Sequence, residues 1–246
     1  PYISNDDFAL FMQGFGVQDK IAVGVSGGAD SLSLCVLLKD WCDQNNVQLT
    51  ALTFDHGLRP EAADEAAYVA DLLKQRGIAH HTLKADQKIG DTKIQETARN
   101  FRYTAMEDYC QHHGIKTLAV AHHVDDQYET FFMRLARGSG LKGLGGMSNT
   151  RHTGTINIIR PLLRCGKDQI LETAKHYNLE WIEDPSNQDD KYTRIQFRKA
   201  RKQFDDLGLN TKMVEKTRAK LAAAESYIEY ELNQILSQVQ HSASGV

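Results

Sequence analysis

The sequence predicts an α/β fold, a mainly parallel sheet with helices on both faces, followed by a long C-terminal helix. Three observations carry this: apolar runs alternating with helical patterns, a strand that ends in a Gly-Gly turn opening a helix, and an apolar stripe near the end of the chain. Strand-like runs cover Ile21 to Val25, Gln48 to Phe54, Ile78 to Leu83 and Lys116 to Ala121. Between and after them, helical periodicity covers Ser31 to Asn45, Glu61 to Arg76, Ile94 to His113 and Val124 to Arg137. A further strand is expected over Thr155 to Leu163. Val214, Thr217, Leu221, Ala224, Ile228, Leu232, Ile235 and Val239 then recur at helical spacing, which predicts one long amphipathic helix over 211–240. Its stripe needs a partner, either its own domain or a second copy in a homodimer.

Composition bounds the molecule. At 246 residues the chain can bury a sizeable core, and no apolar run approaches the ~20 residues that span a bilayer. With no basic-then-apolar leader, a cytoplasmic protein without a membrane partner is expected. Cys35, Cys42, Cys110 and Cys165 form no Cys-x-x-Cys pair and read as buried free thiols. The net charge of −3 argues against an all-over basic coat, although a local basic patch does not register in that sum.

In a parallel α/β sheet the chemistry gathers at the carboxyl ends of the strands. The loops there read Ser26-Gly27-Gly28-Ala29-Asp30-Ser31, Asp55-His56-Gly57-Leu58-Arg59, and Ala121-His122-His123-Val124-Asp125-Asp126-Gln127-Tyr128-Glu129-Thr130. The first is a phosphate cradle without a lysine. Its glycines permit a tight turn and a close ligand, and the following helix presents free N–H groups to an anion. A Walker loop needs Lys then Ser or Thr at that helix start, which argues against a conventional P-loop kinase or GTPase. Taken alone, such a turn is as common in simple helix caps. In the third loop, Asp126 and Glu129 lie three apart on one helical face, a pair able to hold Mg²⁺, or merely an acidic first turn favoured by the helix dipole. His122 and His123 have no further Cys or His at zinc spacing. Gly138 to Gly146, flanked by Arg134, Arg137 and Lys142, lacks a preceding strand and so is not a dinucleotide fingerprint. It reads as a flexible loop, closing over a site or contacting RNA phosphate, or as a mobile connection.

Ser26 to Ser31 resembles the signature of the N-type ATP pyrophosphatase, or PP-loop, superfamily, whose fold is of the adenine nucleotide alpha hydrolase type. The other blocks resemble the tRNA(Ile)-lysidine synthase family. They are Asp55 to Glu61, Ala98-Arg99-Asn100-Phe101-Arg102-Tyr103, His122 to Thr130, Arg137 to Met147, Arg160-Pro161-Leu162-Leu163 and Glu183-Asp184-Pro185-Ser186-Asn187, in family order over most of residues 20 to 200. The resemblance implies a PP-loop catalytic domain over 1–206 and a helical linker, or the start of an absent C-terminal region, over 207–246. It also implies a ligase using ATP and Mg²⁺, with free L-lysine and tRNA(Ile) bearing a CAU anticodon as substrates. The wobble cytidine is adenylated with release of pyrophosphate, and lysine then displaces AMP to give lysidine.

By the same resemblance, Ser26, Gly27, Gly28, Ala29, Asp30, Ser31 and His56 bind ATP, and Asp30, Asp126 and Glu129 surround Mg²⁺. Arg102 and Arg194 join those three acids in catalysis, whereas Arg99, Arg137, Lys142, Tyr192 and Arg198 contact tRNA or substrate. Ile195 and Gln196 depart from the Asn and Arg usual in the family after Arg194, although Arg194 and Arg198 keep their spacing. A cluster-dependent tRNA thiolase would need the missing Cys-x-x-Cys ligands, and an amide-forming synthetase would need an amidotransferase. A fragment that binds ATP without completing the ligation is the remaining alternative.

Overall fold

A computed structural model describes residues 1–55, 61–84, 94–183 and 193–243. Contacts divide the chain into two compact units, Pro1–His123 with Ser148–Asp184, and Val124–Met147 with Pro185–Val246. These units interleave along the sequence.

The first unit holds β1 (Lys20–Gly24), β2 (Gln48–Asp55), β3 (Ala79–Lys84), β4 (Thr117–Ala119), β5 (Thr150–His152) and β6 (Asn157–Ile159) in one six-stranded sheet ordered β3-β2-β1-β4-β6-β5. All neighbours are parallel except the β5–β6 hairpin. The strand expected over Thr155 to Leu163 is therefore shorter and has an antiparallel partner before it. Side-chain alternation builds a core on each face of the sheet. Ile21 and Val23 join Ala119 and Ile159 on one face, packed with Phe8, Leu34, Leu38, Val69, Leu73 and Ile170. Ala22, Leu52, Leu118 and Ile158 join Tyr103, Met106 and Cys110 on the other.

The first face is covered by α1 (Asn5–Met12), α2 (Ala29–Asn45), α3 (Glu61–Gln75) and α7 (Lys167–His176), the second by α4 (Ile94–His112). Ser4 starts α1 with a reciprocal capping box: Asp7 N–H donates to Ser4 Oγ at 3.1 Å and Ser4 N–H to Asp7 Oδ2 at 3.3 Å. Helix α7 is fixed by Ser33 Oγ donating to the Ile170 carbonyl at 3.2 Å and Ile3 N–H to Thr173 Oγ1 at 2.9 Å. All four cysteines are buried and free. No helix among the described residues is long and apolar enough to cross a membrane.

The second unit holds α5 (Val124–Leu135), α6 (Leu141–Leu144), α8 (Thr193–Lys199), α9 (Arg201–Asp206) and α10 (Thr211–Ala243). Tyr128, Phe131, Phe132 and Val214 form its core with Leu144, Phe197, Phe204 and Leu221. The long helix expected over 211–240 is present, and its Val214 and Leu221 pack in this core. Tyr227, Ile228, Tyr230, Leu232, Ile235 and Leu236 of the same helix are exposed. The Gly138 to Gly146 stretch contains α6 and is tied down. Arg134 donates to the Gly143 carbonyl at 2.6 Å, Arg218 donates to that of Gly145 at 2.8 Å, and Gln127 and Met147 exchange two hydrogen bonds at 2.7 Å.

Candidate active site

In the first unit the Ser-Gly-Gly turn leaves β1 and caps α2. Gly27 sits at φ +84°, and a Cβ there would meet Val69 Cγ2 at 3.0 Å and Ile182 Cδ1 at 3.1 Å. Only glycine suits both the backbone and the space. Gly28 differs: it is extended at φ −78° and caps α2 without a side-chain hydrogen bond. Leu32 N–H is the amide that bonds back to Gly28 O, at 3.1 Å, so the amides of Ala29, Asp30 and Ser31 are the first-turn donors of the helix. The hydroxyls are used inside the turn. Ser31 Oγ donates to Gly28 O at 3.0 Å, accepts from Ser26 N–H at 3.1 Å, and lies 3.2 Å from Ser26 Oγ.

Asp30 projects from the first turn of α2 toward two groups that sequence reasoning did not pair with it. Lys167 Nζ, at the start of α7, donates to Asp30 Oδ1 at 2.6 Å, and His123 Nε2 lies 3.6 Å from Oδ2. Burial pushes the Asp30 carboxyl up, but His123 and Lys167 outweigh it and hold the pKa below the ordinary carboxylate value. The carboxylate is thus ionised at neutral pH. The signal for Lys167 was faint, a Gly166-Lys167 helix start a few residues beyond Arg160-Pro161-Leu162-Leu163.

Arg99 and Arg102 lie on α4, with Arg99 3.3 Å from His122 Nε2. Their guanidinium carbons stand 5.1 and 5.9 Å from the Tyr103 ring centroid.

In the second unit, Asp126 and Glu129 share one face of α5 and both are buried. Arg198 of α8 grips the Glu129 carboxylate with two nitrogens, Nε to Oε1 and a second at 3.3 Å to Oε2. The structure therefore joins a residue expected at Mg²⁺ to one expected at the substrate. Asp125 instead pairs with Arg201 at 3.3 Å. Arg137 is exposed, and Lys142 pairs with Glu229 at 2.9 Å. His56, Tyr192 and the Asp184-Pro185-Ser186-Asn187 turn lie outside the described residues, as does the side chain of Arg194.

Among the described residues no three His, Cys, Asp or Glu side chains gather as a self-sufficient metal set. Mg²⁺ does not require one, because it takes one or two carboxylates and completes its shell with water and phosphate. The ionised, half-buried Asp30 fits that demand.

A family model described as a PP-loop domain matches residues 4–202. The tRNA(Ile)-lysidine synthase of Orientia tsutsugamushi (strain Boryong) is 36% identical over 238 residues, covering 96% of this chain and 54% of that protein. That of Novosphingobium aromaticivorans is 36% identical over 246 residues, covering 97% of this chain and 72% of its own length. The chain spans about half the length of most curated relatives it matches. Among solved structures, the U34-tRNA thiolase NcsA from Methanococcus maripaludis superposes with a TM-score of 0.75 at 18% identity, over 89% of this chain and 78% of that one. At that identity the likeness is one of fold.

Proposed function

The chain belongs to the tRNA(Ile)-lysidine synthase family of PP-loop proteins, and on that premise we propose that it adenylates the wobble cytidine of tRNA(Ile) and joins lysine to it. In the first step the cytidine C2 oxygen attacks the α-phosphorus of ATP. One P–O bond forms, the α–β bridge breaks, and pyrophosphate leaves. In the second step the lysine amine bonds to C2 and AMP leaves with the oxygen.

The observation that carries this reading is the Gly27–Ser31 turn. Negative charge grows on the leaving pyrophosphate, and the first-turn amides of α2 sit at the positive end of that helix, pre-organised to receive it. Ser26 and Ser31 hold the turn's shape through their mutual hydrogen bonds. Lys167 supplies the cation that the loop sequence lacks, and Asp30 orients it. Asp30 is the proposed Mg²⁺ ligand of the first unit, Asp126 and Glu129 those of the second, and Mg²⁺ when bound would neutralise phosphate charge. Arg102 and Arg194 are proposed for the transferring phosphate, and His56 for the adenosine. Arg99, Arg137, Lys142, Tyr192 and Arg198 are the proposed tRNA or substrate contacts. For Lys142 and Arg198 such contacts would compete with Glu229 and Glu129.

The test is pyrophosphate release from ATP with Mg²⁺ and unmodified tRNA(Ile), with and without lysine, followed by mass analysis of the anticodon nucleoside. A lysine-dependent mass gain on cytidine is expected. Pyrophosphate release without that gain would limit the chain to adenylation, and silence in both would refute the proposal for this chain.

A further inference from the structure

Beneath α4, the first unit carries more positive charge than its described neighbours balance. Sheet register explains how the charges meet. Arg151 on β5 pairs with Ile158 on β6, so both face the same side of the sheet. Arg160, two residues beyond Ile158, returns to that side. Ile158 packs with Tyr103 and Met106 of α4, which brings both arginines to the helix that bears Arg99 and Arg102.

The result is a cluster around one ring. The guanidinium carbons of Arg99, Arg102 and Arg151 stand 5.1, 5.9 and 5.2 Å from the Tyr103 centroid. Arg99 and Arg151 are exposed at the rim, Arg102 is half-buried, and Arg160 at the base is 5% exposed. Arg160 donates to the Ser148 carbonyl at 2.9 Å, while its buried Nε has no hydrogen-bond partner among the described residues. Glu107, 3.3 Å from Arg151, is the one carboxylate that pairs with any of the four among the described residues. Burial lowers the pKa of Arg102 and Arg160, Tyr103 opposes this, and neighbouring arginines add to the fall. Four guanidinium groups, two of them desolvated, held together against a single carboxylate are arranged for an anion.

Position within the sheet selects the anion. The phosphate turn follows β1, and the strand order places β5 three strands away, about 14 Å at ~4.8 Å per strand. For Arg151, which β5 bears, that separation suits the successive phosphates of a polynucleotide better than the one triphosphate of a nucleotide on the β1 turn. We propose that Arg99, Arg151 and Arg160 form a binding site for RNA backbone phosphate that adjoins Arg102, the arginine proposed for the transferring phosphate. This rests on tRNA being the substrate.

Arg151 is the variant of choice because its side chain is half-exposed. Arg151→Ala in the 246-residue chain is compared with wild type by fluorescence anisotropy on labelled unmodified tRNA(Ile) across a salt series, with ATP affinity measured in parallel. Binding of tRNA is expected to weaken about tenfold, with the slope of log K against log salt shallower by ~0.7–0.9. ATP affinity and melting temperature should not change. Glu107→Gln, which removes the counter-charge, should tighten tRNA binding severalfold, a gain that a purely structural cluster would not produce. Weaker ATP binding with unchanged tRNA binding would assign the cluster to the nucleotide and overturn the proposal, and so would no change in either. Wild-type chain that fails to bind tRNA at low salt would refute the tRNA reading itself.

Discussion

Alanine at Gly27 and alanine at Gly28 should separate the turn's architecture from its ligand chemistry. At Gly27 the backbone is left-handed, φ +84°, and the new Cβ would lie 3.0 Å from Val69 Cγ2 and 3.1 Å from Ile182 Cδ1. The conformation costs ~1–2 kcal/mol, and crowding two branched side chains adds on the order of 1 kcal/mol. Alanine also stiffens the unfolded chain, which offsets ~0.4–1 kcal/mol. The net loss is about 2 kcal/mol, a fall in melting temperature of ~4–8 °C for a chain of this size. At Gly28 the backbone is ordinary, φ −78°, and a Cβ would meet Ser26 Oγ at 3.8 Å and the Ile182 carbonyl at 4.0 Å. The cost there is that of a poorer N-cap, up to about 1 kcal/mol. A methyl group in the mouth of the turn should nevertheless weaken ATP binding at least tenfold, on the order of 1.4 kcal/mol. Thermal melts and ATP titration of the two variants provide the assay. Equal losses of stability would refute the backbone argument. Wild-type ATP affinity in Gly28→Ala would show that phosphate does not sit on this turn.

Lys167→Met should raise the KM for ATP roughly 10- to 100-fold, as expected for a lost charge-assisted hydrogen bond of ~1.5–3 kcal/mol; unchanged ATP kinetics would remove Lys167 from the phosphate site. Burial pushes the thiols of Cys35, Cys42, Cys110 and Cys165 up to about 12. Alkylation of the native protein at pH 8 should therefore run at least ~10³-fold slower than in denaturant, since the thiolate is the nucleophile; rapid labelling of any one without unfolding would contradict its burial. Gly146→Ala should destabilise the second unit by ~2–4 kcal/mol, because φ is +79° and a Cβ would lie 2.6 Å from Arg218 Cδ and 2.7 Å from Gln127 Oε1. Denaturant unfolding would read this, and an unchanged midpoint would mean that the glycine-rich segment is not held as described.

The sheet was legible wherever burial wrote a continuous signal. β1 and β2 are apolar on both faces because both faces are covered, and α5 and α10 show their stripes because one side of each meets the aromatic core. Strand β5, Thr-Arg-His, was not legible: it is three residues at the sheet edge and none of its side chains is buried. The α1 start was readable in principle, since Ser4 precedes Asp7 at capping-box spacing, but the helix is only eight residues long. Within the site, the turn itself was legible because its chemistry is local. The partners of its residues were not. Lys167 reaches Asp30 across 137 positions, and Arg198 reaches Glu129 across 69. No periodicity encodes such pairings, which arise only when the sheet or the helices bring separate segments together.

For the proposed phosphate site, that non-local pairing also supplies what a loop without lysine lacks. A hydroxyl has one proton to give. Ser31 gives its proton to Gly28 O, and Ser26 Oγ, 3.2 Å away, then has Ser31 Oγ as its own acceptor. Both hydroxyls are thereby committed to the shape of the turn, so the donors left facing a ligand are backbone amides. Amides carry only partial charge and stay fixed by the helix, whereas a lysine on the loop would add a full charge on a flexible stem. Here the full charge comes from α7 instead and is held on Asp30 at 2.6 Å. In the proposed reading, Asp30 would hold a divalent cation beside the Lys167 ammonium, and the chemistry that cation would supply is neutralisation of phosphate charge.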